Sequence, residues 1–141
     1  MKKNSLLFFI SFLVFSFNGF SQQSWSPIGL TVSGANSYNG VDAFYQLSNC
    51  NGEDAVLVKF VNHNAYAVTI EWYPGVFSTE QKWIRKENLA DKKSIVLNPN
   101  AELAGDCTAA NPCMIILLKD FSLAATNFAR YGTSNFSITK K

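Results

Sequence analysis

Residues 41–73 read VDAFYQLSNCNGEDAVLVKFVNHNAYAVTIEWY, and the order of polar and apolar positions along them decides the fold. From Val41 to Ser48 the pattern alternates. Val41, Ala43, Tyr45 and Leu47 share one face, while Asp42, Gln46 and Ser48 lie on the other with Phe44. Successive strand side chains point to opposite faces, so this period of two predicts a strand. Asn49 to Asp54 contains Asn51-Gly52, and both residue types tolerate positive φ, which predicts a hairpin. Ala55 to Val61 is apolar except at Lys59, the pattern of a central strand covered on both faces. Asn62-His63-Asn64 turns the chain. Tyr66 to Tyr73 alternates again, with Val68, Ile70 and Trp72 inward and Thr69 and Glu71 outward, until Pro74-Gly75 stops it. Three consecutive antiparallel strands are therefore predicted.

Working outward, Ile28 to Ser33 predicts a first strand, and Gly34 to Gly40 a turn-rich loop. Phe77 to Ile84 predicts a further strand, with Phe77 and Trp83 as core candidates. Arg85 to Lys93 is a polar excursion with room for a helical turn. Ser94 to Leu97 and Ala101 to Ala104 flank the turn Asn98-Pro99-Asn100. Met114 to Lys119 predicts an apolar strand. In Asp120 to Tyr131, Ser122 is a candidate cap, Phe121, Ala125 and Phe128 fall near helical spacing, and Gly132 is a stop, which together predict one short helix. Asn135 to Thr139 alternates as a last strand. Seven or eight short strands with frequent turns predict an all-β fold, an antiparallel β-sandwich.

The N-terminus carries an address. Met1-Lys2-Lys3 is basic, Leu6 to Phe17 is apolar apart from Ser11 and Ser16, and Gly19 and Ser21 give a small-x-small end before Gln22. This layout is that of a secretory signal peptide over 1–21, and it resembles bacterial export signals. The apolar run is about a dozen residues, short of the roughly 20 that a span needs. The expectation is a protein secreted to the periplasm or the extracellular space, with no membrane span after signal removal. Residues 22–141, about 120 in number, form a single domain large enough to bury a core without metal.

The chain has 12 basic and 10 acidic residues; Lys2 and Lys3 leave with the signal, so the mature net charge is near zero. That speaks against nucleic acid as a partner, which calls for a basic patch. The basic clusters at 82–86, 92–93 and 140–141 have acidic neighbours or are terminal.

In a general way the strand pattern is similar to the immunoglobulin-like class, with Trp72 on a central strand near a cysteine. The spacing departs from antibody domains, because no cysteine follows Trp72 on the expected later strand. The three cysteines predict a disulfide in an exported protein. Cys107 with Cys113 closes the shortest loop; Cys50 with Cys107 is the alternative, which restricts the unfolded chain more.

The catalytic motifs are missing. No glycine-rich phosphate loop follows a strand, and no Gly-x-Ser-x-Gly occurs. His63 is the single histidine and sits in a polar turn; a nucleophile–base pair with Cys50 or Cys113 has no support from spacing. Asp42, Glu71 and Asp120 lie on or beside strands as solubilising carboxylates. Asn51, Glu53 and Asp54 lack the spaced pattern of a calcium loop. No metal and no cofactor is expected. What remains is aromatic: Trp25, Tyr38, Tyr66, Tyr73 and Trp83 lie near loops or on faces that the core does not need. Flat exposed rings stack on sugars or anchor proteins. The expectation is a secreted, non-enzymatic protein-binding or adhesion module, or a carbohydrate-binding domain, engaging a cell-surface protein or a glycan through Trp83, Tyr73 and Trp25.

Overall fold

The computed structural model describes residues 24–108 and 110–141, so the signal segment expected over 1–21 lies outside the described residues. Among the described residues ten strands run in chain order: β1 (Ser26–Pro27), β2 (Ser37–Tyr38), β3 (Val41–Cys50), β4 (Glu53–Asn62), β5 (Val68–Ser78), β6 (Trp83–Arg85), β7 (Lys93–Leu97), β8 (Glu102–Ala104), β9 (Ile115–Leu117) and β10 (Phe128–Lys140). They form two antiparallel sheets. In the first, β3 and β4 are central, β1 and β2 border β3, and β8 and β9 share the far edge of β4. In the second, β5 is central between β10 and the pair β6 and β7. The sheets pack face to face as a β-sandwich.

Between them the alternating residues interdigitate. Val41 and Ala43 of β3, Val56, Val58 and Phe60 of β4, and Val68, Ile70, Trp72 and Val76 of β5 are sealed from water. Each such side chain contributes about 1.5–3 kcal/mol for Val-sized and larger groups. Phe60 meets Trp72 edge-on across the sheets, with ring centres 4.9 Å apart. The buried Trp72 Nε1–H donates to the Tyr131 hydroxyl at 3.0 Å, which satisfies the one polar atom of the indole.

The Asn51-Gly52 hairpin forms as its residues require. Both have positive φ, and Cys50 faces Glu53 across the two-residue turn. The β4 strand is covered on both faces: Val56, Val58 and Phe60 enter the main core, while Ala55 and Leu57 pack outward with Trp25, Ile115 and Leu117.

Other expectations are corrected. β5 does not pair with β4; residues 63–67 carry the chain across to the second sheet. Pro74-Gly75 does not stop β5. The Pro74 carbonyl accepts from Lys86 N–H on the β6–β7 side, so its missing donor faces that side too, between the last β7 pair (Trp72–Lys93) and the first β6 pair (Gly75–Arg85). Phe77 to Ile84 is a hairpin rather than one strand, turning at Ser78–Lys82. Ile28 to Ser33 is no strand: Ile28 drops into the core and residues 31–34 form a turn. The apolar stretch 114–119 is a strand only at Ile115–Leu117, between 3-10 turns at Pro112–Met114 and Leu118–Phe121.

The short helix expected over 120–131 does not form. Two 3-10 turns, Leu118–Phe121 and Ala125–Asn127, lead directly into β10, and Gly132 lies inside that strand. No described residue is in an α-helix. The favoured disulfide is also corrected. Cys50 bonds Cys107, with Cα atoms 5.1 Å apart, and Cys113 carries a free thiol. The 3-10 turn Pro112–Met114 sets Cys113 against β7 and Leu103, while Cys107 lies over the β3–β4 hairpin, where its Sγ is 3.7 Å from the Asn49 carbonyl.

Candidate functional site

The outer face of the second sheet is where the aromatic residues gather, and strand register explains how. Arg130, Phe77 and Trp83 form one row across β10, β5 and β6. The next row is Gly132, Gly75 and Arg85, and a third pairs Ser134 with Tyr73. Side chains in a row and its neighbours share a face, because the rows are two residues apart along each strand.

Within this grid the two cross-strand glycines leave a flat floor, and Trp83 lies on it. A β-carbon at Gly75 would overlap the Trp83 ring, and one at Gly132 would lie 3.1 Å from it. At Gly75 the indole occupies the volume that a side chain would fill, and at Gly132 a β-carbon would make a tight contact with it. Phe77 stacks beside the indole with ring centres 4.5 Å apart and planes 30° apart. The Arg130 guanidinium lies 3.8 Å over the other end of the stack, on the Phe77 ring, a stabilising cation–π geometry. The result is a three-member stack, Arg130–Phe77–Trp83, across three strands.

Trp83 is partly exposed and Arg130 and Arg85 are exposed. Arg85 Nε is 3.2 Å from the Glu87 carboxylate. Arg130 has no carboxylate partner among the described residues. A shallow groove of about 380 Å³ follows the stack, bordered by Trp83, Arg85, Arg130, Gly132, Thr133 and Ser134. The Oγ1 of Thr133 and the Oγ of Ser134 are closed to water and have no hydrogen-bond partner. A second groove of about 620 Å³ lies on the other side of Trp83, toward Glu80, Lys82, Ser122 and Leu123.

The structure brings Trp83 and Tyr73 to one face and places Trp25 elsewhere. Trp25 packs outside the first sheet against the cluster of Cys50, Ala55 and Leu57, with the Lys59 ammonium 5.1 Å over its ring and 5.0 Å over Phe44. Trp72 is sealed in the core. Phe77 and Trp83, core candidates from sequence, are instead outward residues. Sequence reasoning missed Arg130 and the glycine pair. An outward Gly75 on one strand opposite Gly132 on another was a usable signal only once β5 and β10 were known to pair.

The polar candidates are engaged in other ways. His63 Nε2 is 2.9 Å from the Asp42 carboxylate, on an exposed corner. Cys50 is in the disulfide. Glu71 pairs with Lys92 at 2.9 Å. In the Asn51–Asp54 loop, Glu53 pairs with Lys119 at 2.9 Å, and Asp54 accepts the Ala125 N–H at 2.8 Å, so these oxygens hold the loop to the 3-10 turns. Among the described residues no group of three metal-ligating side chains comes together.

Comparison with protein-family models, with curated proteins and with solved structures finds no match, and the functional reading rests on this geometry.

Proposed function

We propose that the protein is a secreted, non-enzymatic binding or adhesion module that engages a carbohydrate through the outer face of the second sheet. The observation that carries the reading is Trp83 lying on the Gly75–Gly132 floor, stacked with Phe77 and partly open to solvent. A ring fixed in this way is ordered before ligand arrives, so little side-chain entropy is lost on binding. The part of the ring that is open to solvent is flat and apolar, which suits the apolar face of a pyranose. Tyr73 in the third row extends the same strip. Export is supported by the signal-like N-terminus and by the Cys50–Cys107 bridge, since disulfides persist in oxidising compartments.

A second reading, protein-mediated adhesion, is favoured by a different surface. Trp25, Ile115 and Leu117 are partly exposed apolar side chains packed over the buried Leu57 outside the first sheet, a surface that a partner would cover.

The test is a glycan array followed by tryptophan fluorescence titration of the mature protein. Trp83→Ala is expected to abolish the response and Trp25→Ala to leave it. Loss with Trp25→Ala alone would move the site to the first sheet. No binding to any saccharide would remove the carbohydrate reading.

A further inference from the structure

Building on the carbohydrate reading, we infer that the groove beside the stack selects an acidic sugar, and that Arg130 receives its carboxylate. Two features of the groove converge on this. First, Arg130 is exposed, borders the groove and has no carboxylate partner among the described residues. Stacking on Phe77 occupies the face of its guanidinium and leaves free the edge, where the donors are. That edge is a planar fork matched to a carboxylate, and stacking holds it in place in advance.

Second, the charge is local. The mature chain is close to neutral, so an anion is drawn by this arginine, with Arg85 in the next row, rather than by a general basic surface. Arg85 is already held by Glu87 at 3.2 Å, which leaves Arg130 as the principal anion receptor of the groove.

The ring and the fork therefore match one ligand class: a pyranose with an apolar face and a carboxylate, that is, a uronate-containing polysaccharide.

The test uses the mature protein and oligogalacturonate, with its methyl ester as the neutral match. Sulfated dextran and polyglutamate serve as polyanions of different chemistry. Oligogalacturonate should quench tryptophan emission and the methyl ester should bind about tenfold more weakly or less. Arg130→Gln should weaken oligogalacturonate binding about tenfold and bring it close to that of the ester. Equal affinity for acid and ester would overturn the acidic selectivity and leave the carbohydrate reading standing. Equal binding of polyglutamate or sulfated dextran would reduce the site to general anion attraction and overturn the assignment. Binding to no saccharide would overturn both.

Discussion

Asn62 shows how much of this fold depends on single polar side chains. It is 1% exposed, at the corner where the chain leaves the first sheet for the second. Its amide nitrogen donates to the carbonyls of Tyr66 at 3.0 Å, Asn98 at 2.9 Å and Leu97 at 3.4 Å, and its Oδ1 accepts the Asn64 N–H at 3.0 Å. Asn62→Leu keeps the volume and leaves buried carbonyls without a donor, so it should cost about 3 kcal/mol in urea unfolding. Sequence marked Asn62 only as a turn residue, because two of its partners lie more than thirty positions later. Tyr131 was hidden for the same reason. Burial pushes its phenol well above its ordinary value near 10, and the Trp72 hydrogen bond opposes that only in part. The folded state thus holds this proton more tightly than the unfolded chain does. The contribution is complete below about pH 10 and is lost as pH rises beyond it. Tyr131→Phe should cost about 1–3 kcal/mol at neutral pH by orphaning the indole N–H. The variant should also lose less further stability than the parent on going from about pH 9 to 11. Urea midpoints across that range check both, and identical slopes would exclude the titration of Tyr131 as a source of alkaline instability.

At the level of elements, legibility depended on whether a signal was local. The Asn51-Gly52 hairpin and the strands on either side of it were readable, since turn chemistry and alternation are written within a few residues. The helix over 120–131 was misread because Phe121, Ala125 and Phe128 fall near helical spacing but serve three different elements. Phe121 is buried at the end of a 3-10 turn, Ser122 closes that turn with φ of 55°, Ala125 starts the next, and Phe128 opens β10. The aromatic site was half legible: Trp83 and Tyr73 stood out by type, whereas their shared face required the register of β5 against β6 and β10. That register yields a prediction for β5. Gly75→Ala suits strand backbone, yet its β-carbon would overlap the Trp83 ring. The indole must lift, so acrylamide should quench Trp83 more readily and saccharide binding should fall at least tenfold, while far-UV circular dichroism keeps its β signature. Unchanged quenching would show that the ring does not rest on β5.

For the molecule as a whole, the bridge between Cys50 and Cys107 is the one covalent cross-link among the described residues. Its half-cystines are 57 residues apart, and the chain between them runs through β4, crosses to the second sheet for β5, β6 and β7, and returns for β8. Closing a loop of that length removes about 4 kcal/mol of chain entropy from the unfolded state, on the entropic model. That is a large share of the roughly 5–15 kcal/mol by which such a domain is stable. A bridge between Cys107 and Cys113 would have closed a short loop on one surface and left both sheets free to separate in the unfolded chain. The two arrangements therefore differ in measurable ways. Reduction, or Cys50→Ala with Cys107→Ala, should lower Tm by roughly 10 °C or more. Cys113→Ser, with its thiol outside the bridge, should leave Tm within a degree or two. Peptide mapping of the oxidised protein should link the Cys50 and Cys107 peptides and find Cys113 alkylated. A link between Cys107 and Cys113, with Tm lowered by Cys113→Ser, would mean that the stabilising bridge closes the short loop instead.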